Sequence, residues 1–115
     1  MRRRVLLAED DTHLSAFVET VLRHNGYTVL TRHHGYAALE ALQSERIDLL
    51  LTDMMLPGVA GDVLAERART AQPNLPVVFM TGSYGLPFVL PHDHVLRKPF
   101  SEDELLTAVV QATTR

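Results

Sequence analysis

Residues 47–58, IDLLLTDMMLPG, read as a buried strand that runs into a carboxylate and then a turn. The apolar run through Leu49, Leu50 and Leu51 marks a parallel strand covered on both faces. Pro57-Gly58 is a strong turn signal, so Asp53 is left at the strand's carboxyl end. Three other runs have the same form. Val5-Leu6-Leu7-Ala8 leads into Glu9-Asp10, Val77-Val78-Phe79-Met80 into Thr81, and Val95-Leu96-Arg97 into Lys98-Pro99. The run at residues 27–31 is more polar and belongs nearer a sheet edge.

Helical patterns separate these runs. Leu14, Phe17, Val18, Val21 and Leu22 recur at helical spacing. Asp11 or Thr12 caps that helix, and Asn25-Gly26 ends it. Residues 35–44 form a second helix with Ala38, Leu39 and Leu42 inward. Residues 61–71 form a third, burying Val63, Leu64 and Ala68. Residues 82–94 hold Gly82, Gly85, Pro87 and Pro91, which leave room for a shortened or irregular fourth helix at most. A last helix starts at Ser101 with Glu104 as its capping-box partner. It buries Leu105, Leu106, Val109 and Val110.

This alternation predicts an α/β fold: a flavodoxin-like, doubly wound (βα)5 parallel sheet. Right-handed crossovers lead to the order 2-1-3-4-5. Chemistry in such sheets gathers beyond the carboxyl ends of the strands. Glu9, Asp10, Asp53, Thr81 and Lys98 would therefore share one crevice. A carboxylate cluster, a hydroxyl and an ammonium suit a divalent cation and a phosphoryl group.

Composition narrows the class. The 115 residues suit one domain, read as 1–115. A net charge of −3 gives no case for nucleic-acid binding, and Arg2-Arg3-Arg4 reads as a solvated flank of the first strand. With no cysteine there is neither a disulfide nor a thiolate metal site. No apolar run approaches the roughly 18 residues of a membrane span, and the N-terminus does not read as a signal peptide. The expected location is the cytoplasm. His33-His34 and His92/His94 lack a convincing second pair of zinc ligands, and His13 reads as a solvated helix position.

The segments LAEDD (7–11), TDMMLPGVAG (52–61), MTG (80–82) and RKPF (97–100) together resemble the receiver domain of two-component response regulators. The resemblance spans essentially the whole chain, and that family is itself a standing example of the 2-1-3-4-5 order. It implies that Asp53 is the phosphoacceptor, taking a phosphoryl group from a sensor histidine kinase or histidine phosphotransferase. It implies Mg2+ as cofactor, with Asp10 a direct ligand and Glu9 acting mainly through metal-bound water. Asp53 and the backbone carbonyl of Met55 complete the metal set. Thr81 then bonds a phosphoryl oxygen, and Lys98, before a cis Pro99, pairs with the phosphoryl group. The implied protein is a signalling switch rather than an enzyme, with self-hydrolysis of its aspartyl phosphate. A homodimer is a possible output state, and no direct contact with membrane is implied.

Two departures stand out. Residues between Thr81 and Lys98 are few for the family. Val95 occupies the position three before the lysine where many receivers carry an aromatic residue. Rival readings are a pseudo-receiver used as a constitutive docking module and a small-molecule Mg2+-dependent phosphatase. The second needs a further acid/base carboxylate two residues after the nucleophile, where Met55 stands, and a cap that the chain has no room for. A flavin or nucleotide carrier lacks its glycine-rich loop. Asp11 reads as a cap, Met54 and Met55 as packing or rim residues, and Phe100 as core.

Overall fold

The inner strands of the sheet are apolar on both sides because helices cover both faces. The computed structural model describes residues 3–82 and 94–114. The strands are β1 (Arg4–Ala8), β2 (Thr28–Arg32), β3 (Leu49–Asp53), β4 (Val77–Thr81) and β5 (His94–Arg97). They form one parallel sheet in the order β2-β1-β3-β4-β5. The helices are α1 (Thr12–His24), α2 (Gly35–Ser44), α3 (Gly61–Ala71) and α4 (Glu102–Thr113). The expected irregular fourth helix falls on residues 83–93, outside the described residues.

Alternation along the strands divides the core. Leu6, Leu50, Val77 and Phe79 meet α2 and α3 on one face. Val5, Leu7, Leu49, Leu51, Val78 and Met80 meet α1 and α4 on the other. β3 is buried throughout, while edge strand β2 is exposed at its first residue and half-buried at its last three.

Asp11 caps α1, its side chain accepting from His13 and Leu14 N–H. Gly26 follows with φ 91°, a conformation that disfavours a side chain. Ser101 and Glu104 form the expected capping box of α4. Three residues read as inward face solvent instead: Phe17 is 39% exposed, Val63 41% and Val110 51%. Ser15, Ala65 and Ala108 are buried on the same helices. Val18 and Leu22, Leu64, and Leu105 and Val109 are fully buried on those helices, so the buried arc is narrower than the apolar period and leaves Phe17, Val63 and Val110 at its edge. Phe100 is likewise half-buried rather than fully core, its ring tilted 45° against Phe17 at 6.4 Å.

Candidate functional site

Strand register brings the functional side chains together. Ala8 pairs with Thr52, so Glu9 emerges beside Asp53. Asp53 pairs with Met80, which places Thr81 one step beyond. Thr81 pairs with Arg97, and Lys98 N–H donates to the Thr81 carbonyl at 2.8 Å. The following Lys98–Pro99 bond is cis. All the residues singled out from the sequence therefore meet at one end of the sheet.

Glu9, Asp10 and Asp53 each offer an oxygen within 4.8 Å of the others. Their environments differ. Glu9 is fully buried and Asp53 nearly so, whereas Asp10 is exposed. The Lys98 ammonium spans the two buried carboxylates, 2.8 Å from Glu9 Oε1 and 3.0 Å from Asp53 Oδ2. The other oxygen of each is held by backbone. Asp11 N–H donates to Glu9 Oε2 and Met55 N–H to Asp53 Oδ1, both at 3.0 Å. Both oxygens of the Asp53 carboxylate thus have a fixed partner.

Burial pushes the Glu9 carboxyl above its usual range, and the nearby Asp53 charge adds to this. The Lys98 hydrogen bond opposes it without cancelling it. Burial pulls Lys98 down, but its bonds to Glu9 and Asp53 outweigh that and hold the ammonium above its usual value. Backbone N–H groups, first that of Leu14, hold Asp11 below its usual value. Asp11 is exposed and serves α1 as a cap, and it does not belong to the acidic cluster.

The loop after Asp53 folds back onto the site. Met54 N–H donates to the Met80 carbonyl and Gly61 N–H to the Met54 carbonyl. Gly61 leaves no room for a side chain, because a Cβ there would strike the Asp53 carbonyl oxygen. Met54 is buried, and Met55 stands out at 75% exposure. Thr81 is buried at the end of β4, and Val95 is half-buried opposite Phe79. His13 is exposed, and among the described residues no histidine joins a potential metal cluster.

Sequence reading missed His33, whose Nδ1 lies 2.9 Å from the Glu9 carbonyl oxygen. The available signal was topological. β2 flanks β1, so the residue after β2 must lie beside the residue after β1.

Residues 5–110 match the family described as response regulator receiver domain. The chain is 38% identical over 112 residues to the response regulator receiver protein CpdR of Brucella abortus, covering 93% of each. It is 35% identical over 115 residues to the DNA-binding response regulator MtrA of Mycobacterium leprae. That match covers 95% of this chain and 50% of the relative, so the chain spans about half the length of that longer regulator. A solved response regulator receiver protein from Sinorhizobium medicae superposes with a TM-score of 0.92 at 32% identity, covering 97% of this chain and 94% of that one. Among the described residues, no helix is long and apolar enough to cross a membrane.

Proposed function

This chain belongs to the response regulator receiver domain family, and on that premise we propose that it is a phosphorelay switch whose acceptor is Asp53. The observation that carries the reading is the pairing of the buried Asp53 carboxylate with Lys98 beside a second and third carboxylate.

The donor set suits Mg2+. Every side-chain donor is a carboxylate oxygen, which is what a hard divalent cation prefers. Asp10 and Asp53 would hold the ion with the Met55 carbonyl, and Glu9 would act through bound water. When bound, the ion offsets the repulsion between an anionic nucleophile and an anionic phosphoryl group. The chain's own residues do the positioning. Met55 N–H orients the Asp53 carboxylate, while Lys98 neutralises charge in a loose transition state. An Asp53 oxygen forms a bond to phosphorus as the phosphorus–nitrogen bond of a phosphohistidine breaks. The donor imidazole takes the electron pair. Thr81, buried at the strand end, binds a phosphoryl oxygen, and Lys98 moves from the carboxylates to the phosphoryl group.

Transfer to Asp53 then shifts an equilibrium between two conformations, and the altered surface is read by a protein partner. The donor is a sensor histidine kinase or a histidine phosphotransferase. Water later cleaves the aspartyl phosphate and resets the switch. The test is intact mass after incubation with acetyl phosphate. A gain of one phosphoryl group in the wild type with Mg2+, absent with EDTA and absent in Asp53→Asn, supports the reading. Equal gain in Asp53→Asn refutes the acceptor.

A further inference from the structure

The end of β2, the His33-His34 link and the first turn of α2 touch both loops that carry the acidic groups. On one side, Glu9 N–H donates to the Arg32 carbonyl at 3.0 Å, and His33 Nδ1 lies 2.9 Å from the Glu9 carbonyl oxygen. On the other, Gly35 N–H donates to the Pro57 carbonyl at 2.7 Å. Gly35 is buried, and a Cβ there would collide with the backbone nitrogen and oxygen of Val59. The Tyr36 ring covers Gly58 so closely that a Cβ on Gly58 would sit 3.0 Å from Tyr36 Cδ2. Pro57, Gly58 and Val59 belong to the loop that begins at Asp53.

These contacts lie just past the ladder between β1 and β3, which ends at Ala8 and Thr52, one residue short of Glu9 and Asp53. Asp53 stays paired with Met80 on β4, and Lys98 bridges the two carboxylates through their side chains. The contacts above add a backbone connection between the two loops.

We infer that residues 33–36 are a positioning strap: His33 and Gly35 tie the Glu9–Asp10 turn to the Asp53–Gly61 loop and set the distance between the two halves of the acidic site. The strap's hydrogen bonds to the two loops are to backbone groups, so it acts through Glu9, Asp53 and Met55 and not on a phosphoryl group. It rests on the proposed function only in taking those loops as one site. Hydrogen-bond partners of the ligand groups themselves are worth about 10–100-fold in metal affinity, and contacts one step further out, on the backbone of those loops, fall at or below the low end of that range.

The test uses His33→Leu and Gly35→Ala, with Ser101→Ala as a control that weakens α4 far from the strap. Two readouts need no phosphorylation: the Mg2+ dissociation constant, and hydrogen exchange at the Asp11 and Met55 amides. Those amides bond Glu9 Oε2 and Asp53 Oδ1 and report the carboxylates directly. Gly35→Ala should weaken Mg2+ binding about tenfold and speed exchange at Met55. His33→Leu, at an exposed position, should weaken binding about threefold, the loss of one hydrogen bond. Acetyl phosphate labelling should lose maximal rate while the half-saturating donor concentration holds. Ser101→Ala should move none of these.

Unchanged Mg2+ affinity and unchanged exchange in folded His33→Leu overturn the strap, whether or not Gly35→Ala folds. Equal changes in Ser101→Ala overturn it too, since they would reflect general destabilisation. If the wild type accepts no phosphoryl group, the proposed function fails, and the binding and exchange results still decide the strap.

Discussion

Lys98→Met removes the ammonium that spans Glu9 and Asp53 and leaves a side chain of similar length. Each contact, at 2.8 and 3.0 Å, carries on the order of 5 kcal/mol of gross attraction at an effective dielectric near 20. Desolvation takes back most of that, and breaking a buried pair from one side costs about 3–5 kcal/mol. The lysine side chain keeps 24% of its exposure, so solvent screening brings the expected loss nearer ~2 kcal/mol. For a domain of this size that is a fall in Tm of about 8 °C in EDTA. Mg2+ should narrow that gap. In the wild type the cation must compete with the ammonium for the same oxygens, and in the variant it need not. A tenfold tighter dissociation constant would return about 1.4 kcal/mol at matched Mg2+ concentration. Thermal unfolding with EDTA and with saturating Mg2+ measures both effects. The gap between the two proteins should shrink by more than half when Mg2+ is added. A gap that stays constant, or a wild type that gains more than the variant, refutes competition between Lys98 and the cation.

Burial raises the Glu9 carboxyl, so the metal-free fold holds a proton there at pH values where an exposed glutamate has lost it. That proton must leave before Glu9 can serve the ion, so Mg2+ affinity should rise as pH rises through the raised value, with proton release on binding. Calorimetric titration in buffers of differing ionisation heat checks this, and a flat profile contradicts it. Lys98 stays charged across the same range, because its value is raised from one already alkaline. Ser101→Ala deletes the hydroxyl that caps α4 and should cost about 1 kcal/mol in urea unfolding, with labelling of Asp53 unchanged. Val95→Tyr should leave the labelling rate nearly unchanged, because Val95 sits on β5 beside Phe79, two residues before the strand position that pairs with Thr81; a large fall would place that position in the chemistry.

Much of this was legible from residues alone, and the reasons are physical. β3 and β4 are buried on both faces, so Leu49–Leu51 and Val77–Met80 read as unbroken apolar runs. Each strand end then names its own functional residue, and parallel pairing does the rest: Glu9, Asp53, Thr81 and Lys98 converge because their strands are neighbours. Caps were legible because Asp11 and Ser101 act on backbone two or three residues away. Helix faces were less so. Phe17, Val63 and Val110 fit an apolar period, but the buried arc also takes in Ser15, Ala65 and Ala108, which no hydrophobic pattern singles out. Periodicity counts hydrophobicity and not the space between layers. His33 and Gly35 were legible only through the strand order, which sets His33 beside Glu9. Their partners, the Glu9 carbonyl and the Pro57 carbonyl, are backbone groups far away in sequence, and no side-chain pattern announces them.

The central claim is that Asp53 forms an acyl phosphate, and that bond has its own chemistry. After treatment with acetyl phosphate and Mg2+, borohydride reduces an aspartyl phosphate to homoserine, and peptide mass spectrometry locates it. The account predicts reduction at residue 53, dependent on Mg2+ and lost with EDTA. Reduction at Asp10 or another carboxylate instead, or phosphate found on a histidine and none at Asp53, would contradict it.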